Sequence, residues 1–168
     1  MKSYKIDKTG EAILEILEKE PQIAVSDIAK QLNVSESDVK KNISKFEKDR
    51  IILGYRTVIN WQQIHQNKVH ALIEVKVTPE RKVGFDAVAE TIYRFPEVSA
   101  LSLLSGGYDL LVEIEGESLV EISQFVSAKL ATIKGVQSTV THFILKKYKE
   151  KGVIFESNRD SKRLLVTP

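Results

Sequence analysis

The chain has 168 residues, 42% hydrophobic and 29% charged, with a formal net charge of +2; this is ordinary globular composition, and so mild a basicity makes any electrostatic case rest on where the lysines sit. The absence of cysteine excludes disulfides, cysteine-ligated zinc and thiol catalysis, and fits a reducing cytoplasm. The amino terminus, MKSYKIDKTGEAILEILEKE, breaks its apolar positions with charges, so neither a signal peptide nor a membrane span is expected, and a cytoplasmic protein is.

In chain order, Ile13, Leu14 and Leu17 keep helical spacing between Asp7 and about Lys19, and Pro21 marks the stop. Ser26 is expected to cap a short second helix with Ile28, Ala29 and Leu32 inward, ending at Asn33, which tolerates a left-handed conformation. Ser35 is the expected cap of a third helix, with Asp38 at the capping-box position, running to about Asp49. Val39, Ile43 and Phe46 form its inner face; Ser37, Lys40, Lys41, Ser44, Lys45 and Lys48 fall opposite. Two helices across a tight turn, with small Ala29 allowing a close crossing, make a helix-turn-helix. IILGYRTVIN, through Ile52, Gly54, Tyr55, Thr57 and Ile59, predicts a short strand, the wing of a winged unit spanning residues 1–60.

In such units the second helix of the motif enters the DNA major groove by its amino-terminal end. Here Ser35, Glu36, Ser37, Lys40 and Lys41 would stand there; Ser37 and Lys41 are placed for bases or phosphates, and Asn42, Lys45, Lys48 and Arg56 for the backbone, with Ser44 on the same side. The alternative is a helical hairpin with a solvated lysine face. Residues 1–60 hold eleven Lys and Arg against ten Asp and Glu, so one unit should bind weakly and duplication through an oligomer should multiply its contacts.

WQQIHQNK, residues 61–68, reads as a hinge, with Trp61 packed at the junction. Val69, Ala71, Ile73, Val75 and Val77 then alternate with His70, Leu72, Glu74 and Lys76 as a strand. A helix is expected from about Val83 to Arg94, with Phe85, Val88, Ala89 and Ile92 inward, ended by Pro96. VSALSLLSGGYDLLVEIEG predicts two strands joined by a tight turn at Gly106 and Gly107 with positive φ. Ser118 and Glu121 sign a further helix carrying Ile122, Phe125, Val126, Leu130 and Ile133, and VQSTVTHFILKKY supplies the last strand. The order βαββαβ over residues 69–149 is that of a ferredoxin-like αβ-sandwich, making the chain an α+β protein. With both helices on one side, Leu72, Leu111 and the apolar part of VTHFIL need a cover, and a second subunit is expected to supply it. In the extension, residues 150–168, Val153, Ile154, Phe155 and Leu164, Leu165, Val166 either add strands or belong to a mobile tail.

No catalytic set is expected: His65, His70 and His142 are scattered, without metal-ligand spacing, and Asp109 has no partnered nucleophile or base. SGGYD lacks the lysine of a phosphate loop and opens a strand. Two readings of it stand side by side. Exposed glycine N–H groups, the Tyr108 ring and the Asp109 carboxylate suit a small amino acid; equally, the glycines serve only a turn and Asp109 bonds the local backbone.

ILEILEKE, IAVSDIAKQLNVSESDVKKNISKFEKDRIILGY, LSGGYDLLVEI and TVTHFILKKY, in this order and spacing over roughly residues 6–149, resemble the Lrp/AsnC, or feast/famine, family of regulators. The resemblance implies a winged helix-turn-helix hinged to a sandwich domain that forms a homodimer and in many members a tetramer or octamer, binding double-stranded DNA and an amino-acid effector between subunits, with no cofactor. The effector positions it carries over are Ser105, Gly106, Gly107, Tyr108 and Asp109, joined by Thr139 and Thr141 on the last strand; for DNA it carries over residues 35–45. Competing readings are an amino-acid-binding module acting on a protein partner and a DNA architectural protein that senses nothing.

Overall fold

The computed structural model describes residues 4–61, 64, 68–78 and 84–155, and the chain divides after Thr57 into two compact units. In the first, α1 (Lys8–Lys19), α2 (Val25–Leu32) and α3 (Glu36–Lys48) enclose a core of Ile13, Leu17, Ile28, Ala29, Val39 and Phe46. Asp7 caps α1, its carboxylate accepting the Gly10 N–H at 2.7 Å. Helix α2 starts two residues earlier than a Ser26 cap would allow: Ala24 occupies the cap position and no side chain bonds the first turn. The motif's turn is made by Asn33 at φ 52°, ψ 48°, from which Val34 N–H returns to the Ala29 carbonyl. Ser35 caps α3, accepting the Asp38 N–H at 3.1 Å, while its hydroxyl donates to the Asp38 carboxylate at 2.7 Å. Unlike a capping box, in which the acid turns back to the cap N–H, the shorter Asp38 stops at the hydroxyl.

The strand expected over IILGYRTVIN is not formed: residues 51–60 are irregular. Ile51 and Ile52 instead donate their N–H groups to the Phe46 carbonyl, tying the start of the segment to the end of α3. A lone strand without a paired neighbour lacks the ladder that would hold it extended.

In the second unit, β1 (Val69–Val77), α4 (Asp86–Tyr93), β2 (Val98–Leu103), β3 (Leu110–Gly116), α5 (Leu119–Ala128) and β4 (Val136–Ile144) give one four-stranded antiparallel sheet in the order β2-β3-β1-β4. Its buried face sets Ala71, Ile73, Val75, Val77, Leu110, Val112 and Ile114 against Val88 and Ile92 of α4 and Ile122 and Phe125 of α5. The expected start of α4 at Val83 lies outside the described residues; the described helix ends at Tyr93, with Arg94 as its cap. Helix α5 is also shorter than expected. Leu130 is fully buried but sits in a short 3-10 turn, and Ile133 lies beyond it. Ser118 accepts the Glu121 N–H, and the Glu121 carboxylate reaches back to the Glu117 N–H at 2.6 Å, one residue before the cap.

Cross-strand register fixes the other face. His70 opposes Glu115 and Ile144, Leu72 opposes Glu113 and His142, and Glu74 opposes Leu111 and Val140. Leu72, Leu111, Val140 and Ile144 therefore share the side away from the helices, with Val140 half exposed. Beyond β4, β5 (Lys149–Glu150) and β6 (Val153–Ile154) form a small hairpin, and the Phe155 carbonyl accepts a hydrogen bond from Asn60 at 3.3 Å. Val153 and Ile154 of the extension are thus built into a strand, and Phe155 after them is fastened beside the expected hinge. Residues 164–166 and His65 lie outside the described residues.

Candidate functional site

Helix α3 sorts its polar side chains by direction. Ser37, Lys41, Ser44 and Lys48 recur at i, i+4, i+7 and i+11 opposite the buried Val39 and Phe46, and all four are exposed. Lys41 and Lys48 have no carboxylate partner among the described residues. Every acid of this helix and its caps, by contrast, is engaged. Glu36 pairs with Lys40 at 3.8 Å, Asp38 with the Ser35 hydroxyl, Glu47 accepts the Tyr55 phenol at 3.1 Å, and Asp49 accepts the Tyr4 phenol at 2.7 Å. The bond to Asp49 is the chief cause holding the Tyr4 hydroxyl above its usual pKa; for Tyr55, burial leads and the bond to Glu47 adds to it. The arrangement is a cationic stripe on the outward surface with the carboxylates drawn to its flanks.

The other sequence-selected residues of this unit fall around that stripe. Lys45 is exposed one turn from Lys41 and Lys48 and stands over the Tyr4 ring. Asn42 is half-buried and donates to the Asp38 carbonyl at 3.0 Å, the Ser35 hydroxyl is used in its cap, and Arg56 is exposed in the irregular segment after α3.

In the second unit, residues 105–109 form a six-residue connection with Leu104, closed by Leu104 N–H to the Asp109 carbonyl at 2.8 Å, rather than a tight hairpin. Neither Gly106 nor Gly107 has positive φ, and a Cβ on either would meet open space. The longer loop removes the demand for a left-handed residue that a two-residue turn imposes. Tyr108 and Asp109 are half-buried. Asp109 fixes the loop to the neighbouring strand: its carboxylate accepts the Val77 N–H at 2.8 Å, and its N–H donates to the Val75 carbonyl at 3.1 Å. In the single chain the Asp109 carboxylate thus bonds backbone of the neighbouring strand, 32 residues away, rather than that of its own turn.

Thr139 and Thr141 stand opposite Val75 and Ile73 on edge strand β4, and β1 separates that strand from β3 and the loop. One chain thus does not gather the loop and the threonines into one cavity. Among the described residues no group of three or more His, Asp or Glu is placed to hold a metal ion, and no helix is long and apolar enough to cross a membrane.

A three-helix motif with an outward cationic helix, followed by a βαββαβ unit, defines a DNA-binding protein with an appended ligand-binding domain. Comparison with known proteins agrees with both halves. Residues 6–52 match the winged helix-turn-helix DNA-binding family, and residues 70–154 match the Lrp/AsnC ligand binding domain. The HTH-type transcriptional regulator YugG of Bacillus subtilis is 47% identical over 165 residues, covering 98% of this chain and 99% of that one. LrpA of Pyrococcus horikoshii is 32% identical over 144 residues, covering 86% and 99%. Escherichia coli AsnC shares the fold with a TM-score of 0.67 at 23% identity, covering 88% and 97%. A Neisseria meningitidis transcriptional regulator solved as a complex with L-Met does so at 0.68 and 23%, covering 87% and 94%. The chain belongs to the Lrp/AsnC family of DNA-binding transcriptional regulators.

Proposed function

We propose that this chain binds double-stranded DNA through the outward stripe of α3, acts as a homodimer or a larger assembly such as a tetramer or octamer, and takes an amino-acid effector that alters its assembly or its DNA binding. The observation that carries the reading is the sorting of charge on α3, where Lys41 and Lys48 face outward unpartnered among the described residues while Glu36, Asp38, Glu47 and Asp49 are held aside. A solvated helix face has no need of that sorting; a surface meeting phosphates does. Glu36, Ser37, Lys40, Ser44 and Arg56 then border the contact, at the DNA end of the helix or on its rim.

The face of the sheet with Leu72, Leu111, Val140 and Ile144 supports assembly, because apolar side chains on an otherwise charged face favour a second copy as cover. An amino acid is the effector class favoured by the L-Met complex of the Neisseria relative. In this chain residues 105–109 offer glycine N–H groups, the Tyr108 ring and one free carboxylate oxygen of Asp109, and Thr139 and Thr141 join them only if a neighbouring subunit brings its own strand to the loop. Such a protein works by binding in the cytoplasm, without catalysis.

The test is a mobility shift of DNA upstream of the protein's own coding region, across a salt series, with and without pooled amino acids. Specific, salt-sensitive shifts altered by the pool are expected. A folded protein that shifts no DNA at low salt overturns the reading in favour of a module acting on a protein partner, and shifts indifferent to the pool overturn its sensing part.

A further inference from the structure

Residues 4–7, ahead of α1, lie along the end of α3. The Tyr4 ring meets Phe46 edge-on with centroids 6.5 Å apart, its hydroxyl holds Asp49, and the Lys45 ammonium sits 5.6 Å from the ring centroid. Between this segment and the helix is a cavity of about 300 Å³, whose polar lining is Tyr4, Lys5, Asp7, Asn42 and Lys45. Two of these groups are already committed. Asp7 accepts the Gly10 N–H at 2.7 Å in the first turn of α1, where the positive end of the helix offsets its charge, and Asn42 donates to the Asp38 carbonyl. Lys5 and Lys45 remain, both exposed and neither with a carboxylate partner among the described residues.

We infer that this notch binds one phosphodiester of the DNA backbone between Lys5 and Lys45, with Tyr4 as the positioning residue that holds Lys45 in place. The inference rests on the DNA-binding reading of α3 and extends its surface beyond the helix. Lys45 is a helical neighbour of both Lys41 and Lys48, so the cations run from the stripe into the notch without a break. A lysine resting on an aromatic face keeps its full charge but gives up rotamer freedom, which lowers the entropy lost when a phosphate arrives. An acidic protein segment would meet the same two ammonium groups, but the continuity with the α3 stripe favours a strand of regularly spaced phosphates.

Backbone contacts are independent of sequence, so a mixed-sequence DNA duplex serves as the probe, with binding of the full chain followed by fluorescence anisotropy across a salt series. Lys5→Ala should lower the magnitude of the log K against log salt slope by about 0.9 per bound protomer. Tyr4→Ala should weaken binding and flatten the slope, and Tyr4→Phe, which keeps the ring under Lys45 but releases Asp49, should fall between it and the wild type. Lys19→Ala, at the far end of α1, should change nothing. Because Tyr4→Ala risks loosening the first unit, the decisive variant is Lys5→Ala, an exposed side chain with no partner to lose among the described residues. If Lys5→Ala leaves the slope at its wild-type value while Lys41→Ala flattens it, the segment is only a brace for α3 and the notch is refuted, with the DNA reading intact. Wild-type binding without salt dependence overturns both.

Discussion

Asp109 closes the end of β1: its carboxylate accepts the Val77 N–H at 2.8 Å, two residues past the last ladder pair between Val75 and Leu110. A carboxylate here replaces the backbone carbonyl that a continued strand would have offered, and satisfies a donor that is partly buried. The same side chain is the sole acid of the proposed effector loop, so fold and ligand binding meet in one residue. Asp109→Ala should cost about 1–3 kcal/mol of stability in the second unit by stranding Val77 N–H. Asp109→Asn keeps an acceptor for Val77 and should recover most of that loss in chemical denaturation. Under the proposed function, the Asn variant should nonetheless lose amino-acid affinity in calorimetry, because the charge that meets the ammonium group is gone. Undiminished affinity would remove Asp109 from the effector site.

The outward stripe of α3 makes a separate prediction. Lys41→Ala with Lys48→Ala removes two exposed cations that have no partner in the described fold, so thermal stability should stay within about 0.5 kcal/mol of the wild type. DNA affinity should fall, and the salt slope should flatten by about 1.8 per bound protomer if each lysine neutralises one phosphate. Size-exclusion chromatography should find the assembly unchanged, since both residues belong to the first unit. An unaltered slope would move the contact surface off α3.

Gly10 shows how tightly α1 meets α3. A Cβ there would stand 2.9 Å from Phe46 Cζ, 3.0 Å from Ile6 Cγ1 and 3.1 Å from the Asp7 carboxylate oxygen that caps the helix. Alanine is the better helix former, yet in this position it must displace an aromatic ring in the core. Gly10→Ala is therefore expected to destabilise the first unit by about 1–3 kcal/mol, the usual range for overpacking. The check is calorimetric unfolding, where the loss should fall on the transition of the first unit. A rise in stability would mean that Phe46 can swing away at no cost.

What could be read from the sequence follows the range of the interactions concerned. Ser35 and Ser118 cap their helices as their own sequence neighbourhoods indicate, and Asn33 takes the left-handed conformation at the end of α2. The alternation in β1 gave the buried face residue by residue, because a strand with one covered side repeats every two residues. Features that depend on remote partners were not legible. Ser26 has the right chemistry for a cap, but the chain turns in two residues earlier, at Ala24. Gly106 and Gly107 suggested a two-residue turn, whereas the Leu104 to Asp109 bond sets a wider loop. The hold of Tyr4 on Asp49 spans 45 residues and leaves no periodic trace. In the candidate site, the lysine stripe was visible as a pattern; the withdrawal of the acids to Tyr4 and Tyr55 was not.

His70 gives the last prediction, on pH. It lies on the sheet face away from the helices, half-buried, with Nδ1 3.4 Å from the Glu115 carboxylate. Burial pushes its pKa below the usual 6.5, and Lys147 and Lys68 push the same way, against the smaller upward pull of Glu115 and Glu150. Desolvation thus outweighs the ion pair that the short distance suggests. The folded state then holds this proton less tightly than the unfolded chain does. The corresponding stability is fully present above the unfolded value of 6.5 and is lost as pH falls through the lower, folded pKa. Denaturation of the wild type and of His70→Gln at about pH 7.5 and about pH 5.5 brackets the ordinary histidine range. The wild type should lose more stability than the variant over that interval, since glutamine has no proton to gain. Covering this face by a second copy would desolvate the imidazole further and enlarge the difference, so the effect should grow with protein concentration wherever dilution separates the subunits. Equal losses in the two proteins would show that burial and Glu115 cancel at His70, and a smaller loss in the wild type that Glu115 governs it.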